Sequence, residues 1–118
     1  MSKTVLLVED DPSLREVIGE ILRLDGYEVM TAADGLEAID ILGRRRPHII
    51  LLDMMMPRMD GIAFAAEVSR RGIQIPTIVL TADNHAQQKA EQIGAEGYVE
   101  KPFAIPTLLA MVSRHAAT

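Results

Sequence analysis

Short runs of aliphatic and β-branched residues alternate with segments of helical periodicity along the whole chain, and this limits the possible folds more than any other feature. A strand that is followed by a helix, and then by another strand, returns to the same sheet in parallel. Strict alternation therefore builds one parallel sheet with helices on both faces.

The first strand is Thr4–Val8. Asp11-Pro12 then reads as a helix cap followed by proline at the first helical position. Leu14, Val17, Ile18, Ile21 and Leu22 recur at the spacing of one helix face, and Gly26 closes that helix. Glu28–Ala32 forms the second strand. Asp34 and Glu37 stand at capping-box spacing and open a helix through about Arg44.

The third strand, His48–Leu52, is apolar almost throughout, as a strand covered on both faces must be. A loop with Pro57 and Gly61 leads to a helix over Ile62 to Arg71, and Thr77–Leu80 is the fourth strand. A helix from about Asn84 to Ile93 follows. Its apolar face holds only Ala86, Ala90 and Ile93, which makes it the least anchored element expected. Gly97–Glu100 is the fifth strand, and Ile105, Leu108, Leu109 and Val112 mark the last helix.

In open parallel sheets, ligands bind beyond the carboxyl ends of the strands. The first strand runs into Glu9 and Asp10, the third into Asp53, the fourth into Thr81 and the fifth into Lys101. Only the second, placed at a sheet edge, ends without a reactive group. Clustered carboxylates raise one another's pKa unless a cation joins them. An all-oxygen donor set suits Mg²⁺, or Mn²⁺ in its place. A carboxylate is also a competent nucleophile toward phosphorus, and phosphoryl transfer needs cations and hydrogen-bond donors around three equatorial oxygens. Lys101, the Thr81 hydroxyl and a metal ion would supply them.

Composition narrows the field from the other side. The formal charge is −5, aromatic residues make up 3% and there is no Trp, which argues against direct nucleic-acid binding. With no cysteine, thiolate chemistry is excluded and a reducing compartment fits. The N-terminus lacks the pattern of a secretory signal, and no apolar stretch approaches the roughly 18–20 residues of a membrane span. The expected location is cytoplasmic, without membrane insertion.

Four segments carry a family resemblance: LLVEDDP at the first strand, LLDMMMPRMDG around Asp53, VLTAD at the fourth strand and GYVEKPF at the fifth. In this order, on these elements, the chain resembles a response-regulator receiver domain of two-component signalling, over residues 1–118 as a single phosphoacceptor domain. The resemblance implies a flavodoxin-like α/β fold, doubly wound, with five strands in order 2-1-3-4-5 and five helices. It also implies Mg²⁺-dependent phosphorylation of Asp53 by a histidine-kinase phosphohistidine, a phosphotransfer protein or a small phosphodonor.

Carried onto this sequence, the family's site makes Asp10 a direct metal ligand, Glu9 a ligand through water, and Asp53 and the Met55 carbonyl further ligands. Thr81 becomes the switch hydroxyl, Lys101 the phosphoryl-binding lysine and Tyr98 the aromatic partner of the switch. The Lys101–Pro102 bond is expected to be cis. Output is expected through the face of the fourth helix, fifth strand and fifth helix, from a monomer or weak dimer. Such a domain is not a turnover enzyme, since it catalyses only its own phosphorylation and dephosphorylation.

Several residues have plainer readings. Asp11 is a helix cap rather than a ligand. Met54, Met55, Met56 and Met59 pack the loop around the site, because copper would need supporting His or Cys. His48, His85 and His115 are structural or solvated, and Arg44-Arg45-Arg46 complements a helix C-terminus. Met55 and Asp83, two residues beyond Asp53 and Thr81, occupy positions that influence acyl-phosphate lifetime in relatives. Gly97 and the Ile105-Pro106-Thr107 opening of the last helix weaken the case for a salt-bridged dimer. Two other functions stand beside this one: an interaction domain that works without phosphorylation, and an aspartate-dependent phosphohydrolase. Met55 stands where the second carboxylate of such hydrolases would be.

Overall fold

The computed structural model describes residues 2–82 and 84–116. Five strands, β1 (Thr4–Val8), β2 (Glu28–Ala32), β3 (Ile49–Asp53), β4 (Thr77–Thr81) and β5 (Gly97–Glu100), alternate with five helices. The helices are α1 (Pro12–Leu24), α2 (Gly35–Leu42), α3 (Gly61–Arg70), α4 (Ala86–Ile93) and α5 (Ile105–His115). All pairings are parallel and the strand order is β2-β1-β3-β4-β5, so β2 is an edge strand as expected.

Side-chain alternation along the strands divides the core into two layers. Val5, Leu7, Ile49, Leu51, Ile78 and Leu80 face Ile18 and Leu22 of α1 and Leu108 and Val112 of α5. Leu6, Val8, Ile50, Leu52 and Val79 face the other way, onto Ala38 and Leu42 of α2, Phe64 of α3 and Ala90 of α4. β1 and β3 are buried along their whole length. Burying a Leu or Ile side chain contributes roughly 1.5–3 kcal/mol, so this double layer is the main source of stability.

The helix starts are set by carboxylates. Asp11 accepts from the Ser13 and Leu14 N–H groups, Asp34 from Glu37 N–H and Asp60 from Ala63 N–H. The reciprocal arm expected of Glu37 reaches the Ala33 N–H, at 3.2 Å, instead of that of Asp34. At the other end of α1, Gly26 adopts φ +97°, a conformation that side chains rarely tolerate.

Several boundaries differ from expectation. β3 and β4 each include the polar residue that follows the apolar run, because Asp53 pairs in register with Leu80 and Thr81 with Glu100. His48 lies just before β3. Its N–H donates to the Thr4 carbonyl, and its Nδ1 accepts from Thr4 N–H at 2.9 Å. α2 ends at Leu42, with Gly43 at the cap, rather than at Arg44. α4 opens at Ala86 rather than Asn84, and its N-cap residue His85 makes no side-chain cap bond. Of the arginine cluster, Arg46 bonds the helix-end Leu42 carbonyl as read, whereas Arg44 pairs with Asp40 one turn back and Arg45 reaches Glu28 of β2 at 2.8 Å.

Candidate functional site

The carboxyl ends of β1, β3, β4 and β5 converge on one rim. One carboxylate oxygen from each of Glu9, Asp10 and Asp53 lies within 4.8 Å of the others, and no other such group of three gathers among the described residues. Glu9, Asp53 and Thr81 are buried, at 0%, 3% and 0% exposure, whereas Asp10 faces solvent. The site is thus a half-buried acidic notch with one open side.

Lys101 enters from the end of β5. Its Nζ lies 2.7 Å from Glu9 Oε1 and 3.7 Å from Asp53 Oδ2. The adjoining Lys101–Pro102 bond is cis, as expected, and the Lys101 N–H donates to the Thr81 carbonyl. Asp53 accepts the Met55 N–H at 3.1 Å. Burial pushes the Asp53 carboxyl up, the Met55 N–H draws it down, and the neighbouring Asp10 and Glu9 push it up again, to about 7. Three carboxylates against one ammonium leave a net negative site made of hard oxygen donors. A divalent cation such as Mg²⁺ fits that donor set.

Tyr98 is half-buried, in register with Val79 and packed on the core layer that also holds Ala90. Asp11 is a helix cap and does not join the acidic cluster. Met54 and Met56 are buried and Met59 partly so, as loop packing requires, but Met55 is 64% exposed and lies beside Lys89, Sδ to Nζ 3.8 Å. Met55 therefore does not share the packing role expected of it. A residue that follows the inward carboxylate of Asp53 by two points out of the loop rather than into it. Asp83 lies outside the described residues. Gly97 is in close contact with α5: a Cβ there would stand 3.0 Å from Met111 Sδ.

Two residues of the rim escaped the sequence reading. Arg15 donates from Nη1 to the Glu9 carbonyl at 2.9 Å. Its signal was faint, since an arginine one turn into a helix is ordinarily a solvated side chain. Arg58 holds φ +64° and donates from Nε to Asp34 Oδ2 at 2.7 Å, tying the loop after Asp53 to the start of α2. The placement of Arg58 directly after Pro57, in a loop that must turn sharply, was the available clue. A cleft of about 450 Å³ lies between α3 and α4 over Leu52, Phe64 and Ile93. It shares no residue with the acidic notch and has no part in its chemistry.

A parallel sheet in this order, with three carboxylates and a lysine at its carboxyl edge, defines a receiver-type signalling domain. Residues 5–113 match the response regulator receiver domain family, and the chain belongs to that family. The response regulator MprA of Mycobacterium tuberculosis is 39% identical over 112 residues, which are 93% of this chain and 49% of that protein. The chain thus spans about half the length of the curated relatives it matches.

Among solved structures, the receiver domain of the sensor histidine kinase PA1611 from Pseudomonas aeruginosa has a magnesium ion coordinated in its active-site cleft. It is 34% identical, with a TM-score of 0.87 and full coverage of both chains. The response regulator TrrA from Thermotoga maritima, in complex with Mg²⁺-BeF, is 32% identical with a TM-score of 0.86, over 95% of this chain and 97% of that one. No helix among the described residues is long and apolar enough to cross a membrane.

Proposed function

We propose that Asp53 accepts a phosphoryl group from the phosphohistidine of a sensor kinase or phosphotransfer protein, or from a small phosphodonor, in a Mg²⁺-dependent reaction. The observation that carries this reading is the meeting of Glu9, Asp10 and Asp53 within 4.8 Å, with the Lys101 ammonium against them. Asp10 and Asp53 would hold the cation directly, the Met55 carbonyl would add a ligand, and Glu9 would bind through water. When bound, Mg²⁺, or Mn²⁺ in its place, supplies positive charge to the phosphoryl oxygens.

The chain's own residues do the rest. An Asp53 oxygen attacks phosphorus and forms the acyl phosphate bond, while the P–N bond to the donor breaks and the imidazole nitrogen keeps the electron pair. Deprotonated Asp53 is the nucleophile, so relief of its raised pKa by a cation favours the reacting form. Lys101, 3.7 Å from Asp53, would meet a second phosphoryl oxygen and the Thr81 hydroxyl a third. Apart from forming and losing its own phosphoryl group, the chain turns nothing over.

The output reading rests on α4. Its N-cap residue, His85, makes no side-chain cap bond, and the helix buries only two small residues, Ala86 and Ala90, on the side of Tyr98. Inward movement of Thr81 and repacking of Tyr98 would change the α4–β5–α5 face, which an output protein or domain reads in the cytoplasm. The domain acts as a monomer or weak dimer.

Acetyl phosphate with Mg²⁺ should add one phosphoryl group, seen by intact mass. Asp53→Asn should remove the labelling. Equal labelling of both proteins would refute the assignment.

A further inference from the structure

We infer that Arg15 is a positioning residue for the cation site, acting through the main chain of Glu9. The inference rests on the reading of Glu9, Asp10 and Asp53 as the cation's ligands. It begins from the way Glu9 is held. Its N–H donates to the Ala32 carbonyl at 3.0 Å, its Oε2 accepts the Asp11 N–H at 3.2 Å, and its Oε1 accepts Lys101. β1 ends at Val8, so sheet pairing does not hold the Glu9 carbonyl. That carbonyl is instead fixed by Arg15 Nη1 at 2.9 Å.

The Glu9 carbonyl and the Asp10 N–H belong to one planar peptide unit. Fixing the direction of the carbonyl therefore fixes the plane from which the Asp10 side chain departs. Asp10 is the exposed member of the acidic cluster, and beyond its side-chain hydrogen bond to Asp53 its direction follows that of its backbone. Arg15 supplies that order from α1, whose first turn is itself locked by Asp11 and Pro12. The guanidinium thus links a rigid helix to a ligand-bearing turn.

A cationic side chain beside a cation site also opposes metal binding by simple repulsion. Positioning and repulsion predict opposite outcomes when the charge is removed, which makes the inference testable. The measurement is Mg²⁺ binding to the full chain by calorimetric or NMR titration. Metal-free melting and amide spectra confirm a folded protein at the temperature used.

Arg15→Met should raise the Mg²⁺ Kd about tenfold, the lower end of the effect seen when groups that orient ligands are lost. Arg15→Lys, which keeps the charge on a differently shaped head, should raise it by a smaller factor. Tighter or unchanged binding in Arg15→Met overturns the inference. If that variant does not fold, parity between Arg15→Lys and the parent overturns it instead. Asp10→Asn separates the two levels of argument. A parent that binds no Mg²⁺, or binds it as well after Asp10→Asn, refutes the cation site itself; an Asp10-dependent parent site that Arg15→Met matches refutes only the role of Arg15.

Discussion

The Lys101 ammonium is bonded to Glu9 at 2.7 Å across 92 residues of sequence, closer than it stands to Asp53 at 3.7 Å. Glu9 is wholly buried, so without Lys101 its carboxylate would be left uncompensated. Removing one partner of a buried pair costs about 3–5 kcal/mol, and the partial exposure of Lys101 places this pair near or just below the lower end. Lys101→Met should therefore lower metal-free stability by about 2–3 kcal/mol in urea unfolding. Saturating Mg²⁺ should narrow the gap between variant and parent. A gap that ignores Mg²⁺ would show that the cation does not relieve Glu9.

Asp53 should make the metal-free protein less stable as pH rises. Its folded pKa of about 7 lies above the ordinary 3.8, so the folded chain retains a proton that the unfolded chain has released. Stability is then lost as pH climbs through that window. Asp53→Asn should melt higher than the parent at pH 8 in chelator, by on the order of 3 kcal/mol, with the advantage shrinking toward pH 4. Mg²⁺ should stabilise the parent and leave the variant nearly unmoved. Parallel pH profiles for the two proteins would contradict the strained carboxylate.

Arg58 combines a left-handed backbone with an ion pair to Asp34. The two contributions can be separated. Arg58→Ala keeps the backbone penalty and loses the pair, whereas Arg58→Gly loses the pair and relieves the backbone. The glycine variant should be more stable than the alanine one by about 1 kcal/mol. Arg58 is 57% exposed, so the pair itself contributes less than about 1 kcal/mol. Burial would raise the Asp34 carboxyl, but the Glu37 N–H, Arg58 and the Leu36 N–H outweigh it and hold it below the ordinary 3.8. The stabilisation is complete above that value and disappears as pH falls through the lower, folded pKa, so the Arg58→Ala deficit should fade in acid. Chemical unfolding at neutral and acidic pH checks both statements.

Gly61 should tolerate no side chain. A Cβ there would stand 2.9 Å from Met54 Cα, a main-chain atom that cannot swing aside. Gly61→Ala should cost about 2–3 kcal/mol in thermal or chemical unfolding, in the range typical of overpacking. It should also slow Asp53 labelling by acetyl phosphate, because the displaced backbone lies next to Asp53. Unchanged stability would mean that the loop is looser than its packing indicates.

The parallel sheet and the rim were legible because both follow from local pattern. Apolar runs such as Ile49–Leu52 mark strands, and a chain leaving a parallel strand must place its next residues, here Asp53 or Glu9 and Asp10, at the carboxyl edge. The approach of Lys101 to Glu9 in preference to Asp53 was not legible, since it is fixed by how β5 sits across β4 and β3 from β1. Arg15 and Arg58 escaped for a related reason: their partners are a carbonyl and a carboxylate placed by other elements. α4 begins two residues after the expected Asn84, at Ala86, the first of its residues to be buried, and the local pattern did not reveal that offset.

Four of the five strands deliver a group to the rim, and those groups come from residue 9 through residue 101. A nascent or half-collapsed chain therefore holds only fragments of this chemistry. A truncation that removes β5 takes Lys101 with it, and a slip of β1 carries Glu9 and Asp10 away from Asp53. Under the proposed function, accepting a phosphate would therefore require the sheet to have brought Glu9, Asp10, Asp53 and Lys101 together, which no partial fold does.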